Sequence, residues 1–226
     1  GEVWEDATTK FAYGERRRYL LGDQLDSVMN YPFAAAILNF VKGGSAQAFE
    51  DGVMSIVENY PPQVLNVLMN HIGTHDTERA LTRLAGPDAA GKDRNWQHEN
   101  NKLSESDYLR GVSGMQGMKD PFNRACFTWN DMNEELYKWY KRLGEIRRGC
   151  KAFVNGEIKI IHAHAGAVAY LRTCSENSVL TAVNISPNAV DIEAGAEWDN
   201  SYSFFGGVCK NGILHLEPYE RALLSR

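Results

Sequence analysis

Two short groups of polar residues in this chain carry side chains that could do chemistry. Glu2 stands beside the apolar residues Val3 and Trp4, and burial next to an aromatic ring raises a carboxyl pKa, as a general acid requires. His75 and Asp76 follow an apolar run and a glycine. At the end of a strand, such a pair can hold sugar hydroxyls and stabilise a cationic transition state. The competing interpretations are a frayed surface terminus for Glu2 and helix capping for Asp76.

Other polar clusters give less specific patterns. Asp23 and Asp26 could cap a helix or bind a ligand. His71 and His75 have metal-ligand spacing on a helix, but Gly73 lies between them and no glutamate stands at the required place. His162 and His164 are spaced as on one face of a strand, and we expect that face to be solvated.

The sequence gives no support for a nucleotide-binding enzyme or for a serine hydrolase. The sequence has no glycine-rich phosphate loop after a strand and no G-x-S-x-G elbow. The cysteines, Cys126, Cys150, Cys174 and Cys209, are scattered without a C-x-x-C pair, which argues against a structural zinc site. We therefore expect no metal and no organic cofactor.

Composition narrows the class of partner. The chain has 226 residues, 43% of them hydrophobic, and a net charge of −5. Without clustered Lys and Arg it is a poor candidate for binding nucleic acid, and no apolar run is long enough to span a bilayer. Free cysteines favour a reducing compartment, so we expect the cytoplasm rather than secretion. The start at Gly1 looks internal to a longer protein, so a signal peptide cannot be assessed.

Capping residues and apolar spacing predict helices in the first two thirds of the chain. Residues 31–42 follow a capping Asn30 and stop at Gly43, and residues 46–60 carry one apolar face. The segment from Asp76 to Gly86 also reads as a helix, as does 133–148. The run at 67–72 is either a buried strand or a short helix, because periodicity does not decide. Residues 87–107 read as a polar surface loop or lid.

After residue 150 the chain changes to short β-rich runs between Gly, Asn, Ser and Pro. Their spacing predicts a small antiparallel sandwich. The fold class is therefore α/β: an incomplete (β/α)8 TIM-barrel portion over residues 1–150, followed by a small all-β antiparallel sandwich domain over 151–226. In such barrels, reactive residues gather at the carboxyl ends of the strands.

Several stretches in a fixed order resemble the α-amylase family, glycoside hydrolase family 13, in its neopullulanase/cyclomaltodextrinase branch. They are GEVW at 1–4, GDQLDSVMNYPF at 22–33, LMNHIGTHDTERAL at 68–81 and GMQGMKDPFNRACFTW at 114–129. These look like the family's segments at the fifth, sixth and seventh barrel strands and after the eighth. The closing helix and β-rich tail resemble the last barrel helix and the C-terminal domain, so the resemblance covers nearly the whole chain.

The resemblance implies retaining hydrolysis of α-glucosidic bonds in maltodextrins and starch-like glucans. Glu2 would be the general acid/base, and Asp76, with His75, would stabilise the transition state. Substrate-binding positions would be His75, Trp4, Asn30, Tyr31, Asp120 and Arg124. The expected partner is an α-glucan oligosaccharide or polysaccharide, with neither nucleic acid nor membrane, and the full-length parent could be a homodimer.

Two departures from the family pattern bear on activity. The attacking aspartate ends the family's fourth strand, upstream of GEVW, and the eighth strand before SGMQG looks deleted. We therefore expect a C-terminal fragment that lacks the nucleophile and is inactive alone. The alternatives are a non-catalytic carbohydrate-binding module and an interaction module of amylase descent.

Overall fold

The computed structural model describes residues 1–101, 117–127 and 129–226. Within them the helices are α1 (Tyr31–Val41), α2 (Ala46–Asn59), α3 (Pro62–Leu65), α4 (Ala80–Ala85), α5 (Arg94–Glu99), α6 (Glu134–Gly149) and α7 (Ala152–Asn155). Short 3₁₀ turns cover Trp129–Asp131 and Ala196–Trp198. No helix in these ranges has both the length and the apolar character needed to cross a membrane.

The long helices confirm the predictions because their caps are used. The Asn30 side chain accepts a hydrogen bond from Phe33 N at 3.3 Å and starts α1, and Asn133 accepts one from Leu136 N at 2.7 Å to start α6. Ser45 does the same for α2. Helix α4 is shorter than predicted, since it begins after Arg79, which makes no side-chain cap. The capping role considered for Asp76 is therefore wrong.

The strands form one small hairpin and two larger antiparallel sheets. The hairpin pairs β1 (Phe11–Ala12) with β2 (Glu15–Arg16). The other strands are β3 (Glu157–His164), β4 (Ala167–Thr173), β5 (Ser178–Asn184), β6 (Val190–Glu193), β7 (Tyr202–Phe205), β8 (Val208–Lys210), β9 (Ile213–Leu216) and β10 (Arg221–Ser225). A five-stranded sheet has the order β3-β4-β5-β10-β7 and a three-stranded sheet the order β6-β9-β8. The β-rich runs predicted after residue 150 are thus strands.

The five-stranded sheet is covered on both faces. One face packs on the three-stranded sheet around Trp198, Leu180 and Leu214, which are completely buried. The other face carries Ala163 and Val168 against aromatic and aliphatic side chains of α1 and α2. A further cluster joins α6 and α7 to β5 and β10. The chain is therefore a mixed α/β structure in which the sheet is central.

His162 departs from its prediction. Its side chain lies on β3 and is only 7% exposed, so the expected solvated face is wrong there. A bulge between Ile160 and His162 shifts the register of β3 against β4. The His162 ring centroid lies 3.8 Å from that of His164. Burial lowers the pKa of His162, and the nearby His164 lowers it further by a smaller amount.

Three short extended segments, around Gly1, Val28 and Met69, run parallel to one another. Gly1 N donates to Ser27 O at 2.8 Å and Met29 N donates to Gly1 O at 3.0 Å. On the other side, Met69 N donates to Val28 O at 3.2 Å and Asn30 N donates to Met69 O at 3.0 Å. The motifs resembling the fifth, sixth and seventh barrel strands predicted longer strands here. The observed pairing of Met29 with Met69 is a single parallel bridge.

Candidate active site

The parallel segments decide which polar side chains meet. Because they point the same way, the residues that follow them leave from one edge, as at the carboxyl ends of barrel strands. Glu2 follows Gly1, Asn30 and Tyr31 follow the Val28 segment, and Asn70 follows Met69. In the sequence, residues 27–41 lie far from residues 1–4 and 67–76, yet all three ranges come into contact at this edge.

Tyr31 connects the first two segments. Its ring stacks on Trp4 with centroids 4.2 Å apart and planes 13° apart, and His71 meets it edge-on at 4.7 Å. The Tyr31 hydroxyl donates to Glu2 Oε1 at 3.3 Å. Burial raises the pKa of Tyr31, and the charges of Glu2 and Asp76 raise it further against the opposing hydrogen bond from Thr74. The hydroxyl therefore keeps its proton and remains a donor at neutral pH.

Glu2 itself is exposed, and its neighbour Trp4 is 51% exposed. Val3 is buried, but it points into a cluster with Leu20 and Ile56. The apolar enclosure expected around the Glu2 carboxyl is therefore not built by the described residues. Trp4 presents one ring face to Tyr31 and leaves half its surface accessible, as a sugar-stacking residue would.

The Asn30 side chain is buried and hydrogen-bonded within the protein. It is 3% exposed. Its amide oxygen caps α1, and its Nδ2 donates to Asn70 Oδ1 at 2.8 Å. The side chain thus ties the start of α1 to the end of the Met69 segment. A direct contact between Asn30 and substrate stays a prediction.

Asp76 lies at the centre of a charged group. His75 Nε2 is 3.1 Å from Asp76 Oδ2, and Arg124 Nη2 donates to Asp76 Oδ1 at 2.5 Å. Arg124 Nε donates to Asp120 Oδ2 at 2.7 Å. The His75 side chain is 70% exposed, whereas that of Asp76 is 28% exposed. The predicted residues His75, Asp76, Asp120 and Arg124 therefore form one group. The exposed imidazole can contact a ligand, and the guanidinium orients Asp76.

Asn123 was not predicted, although it is fully buried beside this group. Its Nδ2 donates to His75 O at 3.0 Å and to Thr77 O at 2.9 Å. Gly117 packs against the backbone that carries Asn123, since a Cβ added to it would lie 2.4 Å from Phe122 O. The only sequence signal is the position of Asn123 next to Arg124 in the motif.

The remaining candidates lie elsewhere or lack partners. Asp23 and Asp26 are exposed in the loop before Val28 and cap no helix. Both imidazole nitrogens of His71 are buried without a hydrogen-bond partner among the described residues, and burial lowers its pKa. No group of three or more metal-ligating side chains occurs in the described part of the chain.

Comparison with known proteins identifies relatives of this chain. No family model matches the chain. It is 32% identical over 208 residues to a cyclomaltodextrinase of Geobacillus thermopakistaniensis, covering 88% of this chain and 34% of that protein. It is 30% identical over 190 residues to neopullulanase 2 of Thermoactinomyces vulgaris, covering 81% of this chain and 31% of that protein. The chain thus spans about a third of the length of these curated relatives.

Solved structures share the fold. A cyclomaltodextrinase structure superposes over all of this chain and 39% of its own, with a TM-score of 0.74 and 24% identity. Together with the sequence relatives, this likeness bears out the resemblance of the four ordered motifs. The chain belongs to the α-amylase family, in its neopullulanase/cyclomaltodextrinase branch.

Proposed function

We propose that this chain carries the general acid/base and the transition-state-stabilising residues of a retaining α-glucosidic hydrolase. The observation that supports it best is the set of backbone hydrogen bonds joining the Gly1, Val28 and Met69 segments. Glu2, Tyr31 and Asn70 directly follow the paired segments, and the charge of Asp76 acts on Tyr31, which supports a shared site. The names of the relatives, cyclomaltodextrinase and neopullulanase, support an α-glucan as the substrate class.

In the proposed mechanism Glu2 protonates the leaving glycosidic oxygen and later deprotonates the attacking water. Trp4 and Tyr31 form a stacked aromatic wall against which a sugar ring can lie. His75 and Asp76 bind the hydroxyls of the sugar next to the scissile bond. Negative charge on Asp76 stabilises the positive charge that develops in the oxocarbenium-like transition state.

The attacking carboxylate of a retaining enzyme stands about 5–5.5 Å from the acid. We propose that sequence outside these 226 residues provides it, since the relatives extend over about three times the matched length. On this proposal the isolated chain does not hydrolyse glucans. We further propose the division at residue 150, with the barrel portion before it and the sandwich after it. All strands of the two larger sheets lie beyond residue 156.

The deciding experiment replaces Glu2 in the natural full-length protein that contains these residues. Glu2→Gln removes the proton donor and keeps the shape, so kcat on maltooligosaccharides and cyclomaltodextrins is expected to fall about 10²–10⁴-fold. Glu5→Gln is the matched control, because Glu5 pairs with Lys10 on the surface nearby and touches no proposed substrate position. Hydrolysis rates are measured by reducing-sugar release. Equal rates for wild type and Glu2→Gln would refute the role of Glu2.

The alternative is a carbohydrate-binding module without catalysis. Calorimetric titration of the 226-residue chain and of the full-length protein with maltotriose separates the two. Binding with no hydrolysis by the full-length protein would favour the binding module. Absence of both would favour an interaction protein of amylase descent.

A further inference from the structure

We propose that Asn123 is a positioning residue that sets the orientation of His75 and Asp76. The inference rests on the proposed function and concerns the backbone beneath the site. Asn123 is fully buried, and its one Nδ2 group bridges the carbonyls of His75 and Thr77, which flank Asp76 on either side. An amide that binds both neighbours of a residue fixes where that residue's side chain points.

The turn at 74–77 has hydrogen bonds of its own, but they are local. Thr77 Oγ1 accepts from Thr74 N at 2.8 Å, and Asp76 N donates to Thr74 Oγ1 at 3.2 Å. Such bonds shape the turn without fixing it to the rest of the molecule. The Asn123 amide joins the backbone of the turn to a segment 46–48 residues further along the chain, whereas Arg124 of that segment binds only the Asp76 side chain.

The segment that carries Asn123 is itself fixed. Arg79 N donates to Gly117 O at 2.8 Å, and Gly117 N donates to Thr82 Oγ1 at 2.8 Å. Gly117 has φ +158° and lies so close to the backbone at 122–123 that a Cβ would be 2.8 Å from Asn123 Cα. Close backbone packing of this kind leaves little freedom for the segment, so Asn123 transmits a fixed position to the turn.

Asn123 and Arg124 both act on Asp76, through different groups. Arg124 binds the Asp76 carboxylate directly, and the Asn123 amide binds the backbone below it. A ligand-binding site must hold its groups to a fraction of an ångström, and a displacement of about 1 Å can cost about 100-fold in rate. Asn123 touches no proposed substrate atom, so its effect passes entirely through His75 and Asp76.

The test replaces Asn123 in the natural full-length protein. Asn123→Leu keeps the approximate volume and removes both donors, and kcat on maltotriose is expected to fall about 100-fold with KM changed less than about threefold. In Asn123→Asp a carboxylate would face two carbonyl oxygens, which favours its neutral form. A protonated Asp can donate one bond, so the kcat of this variant is expected to recover as the pH is lowered, whereas that of Asn123→Leu is not.

Asn184 provides the matched control. It is 1% exposed at the end of β5, and its Nδ2 donates to two backbone carbonyls of neighbouring loops, Asn188 O at 2.8 Å and Glu217 O at 3.0 Å. Asn184→Leu and Asn184→Asp therefore remove the same kind of buried bridge. We expect these variants to lose stability but to keep kcat per folded molecule and its pH profile. A kcat loss at Asn123 no larger than that at Asn184 would overturn the proposal.

A second readout separates this inference from the proposed function. In the 226-residue chain, the ¹⁵N–¹H signal of Arg124 Nε reports the position of the guanidinium, whose Nε donates to Asp120 and whose Nη2 donates to Asp76. Asn123→Leu is expected to shift or broaden it, and Asn184→Leu is not. If Glu2→Gln keeps full activity while the Arg124 signal responds to Asn123, the function fails and the positioning stands. If Glu2→Gln is inactive and neither readout responds, the positioning fails alone. Should Asn123→Leu not fold, Asn123→Ser, which retains one donor, is expected to give an intermediate loss.

Discussion

At the scale of single residues, Tyr31 makes two contacts in the candidate site. Its hydroxyl donates to Glu2, and its ring stacks on Trp4. The sequence motif indicated Tyr31 only as a position lining the cleft. That it holds Glu2 in place follows from the pairing of two segments 27 residues apart, Gly1 with the run around Val28.

Tyr31→Phe separates these two roles. The stack on Trp4 remains, but the hydrogen bond to Glu2 Oε1 is lost, so Glu2 is held less firmly and its charged form loses a donor. A hydrogen bond to a charged group is worth about 1.5 kcal/mol, so kcat/KM in the full-length protein is expected to fall about tenfold. Steady-state kinetics on maltotriose measure this, with Tyr19→Phe as the control. An unchanged kcat/KM would contradict the role of the hydroxyl.

At the scale of elements, prediction from sequence succeeded where the determinants are local. Asn30 accepts the predicted capping bond at the start of α1, and Ser45 and Asn133 accept equivalent bonds at the starts of α2 and α6. The run at 67–72 could not be assigned, because its state depends on Val28, some 40 residues earlier. Asn123 could not be recognised either, since nothing in a lone asparagine reveals which two carbonyls its amide will meet.

His162 gives strand β3 a pH-dependent stability. Its folded-state pKa is lowered by burial and by His164, so the unfolded chain binds a proton more readily. Stability is therefore present above the ordinary pKa of about 6.5 and is lost as the pH falls below it. Urea unfolding at pH 7.5 and 5.5 measures the loss, and His162→Gln is expected to reduce it.

The control for this prediction is His215, whose dependence has the opposite sign. Hydrogen bonding to Asp191 raises the pKa of His215, so its contribution is present at low pH and is lost as the pH rises through the raised value. His215→Gln is expected to make the acid loss steeper. A loss on acidification that is the same in wild type and His162→Gln would contradict the role of His162.

At the scale of the whole molecule, the pairing around Met69 leaves apolar side chains uncovered. Val67 is 59% exposed and Met69 is 56% exposed, although Met69 forms a backbone bridge with Met29. A partly paired strand with exposed apolar residues promotes association between chains. The mixed α/β character and the family were predictable from sequence, but this exposed surface depends on how far each short strand extends.

We therefore expect the 226-residue chain to self-associate with rising concentration. Met69→Lys places a charge on the exposed run and is expected to shift the equilibrium towards monomer. Val154→Lys is the control, because Val154 is similarly exposed at 51% on α7, away from this run. Sedimentation velocity over a hundredfold concentration range measures the association. A single monomeric species for the unmodified chain would contradict the prediction.

Helix α1 begins at Tyr31 and, nine residues later, contributes Phe40 to the cluster that contains Ala163 and Val168 of the five-stranded sheet. At 1.5 Å per residue the helix is a rigid strut about 16 Å long. One end bears the hydroxyl that steadies Glu2, and the other is anchored in β3 and β4. A disturbance of that anchorage would tilt the strut and swing the hydroxyl away from the carboxylate. Packing of the C-terminal sheet against α1 therefore helps to hold the Tyr31 hydroxyl in position beside Glu2.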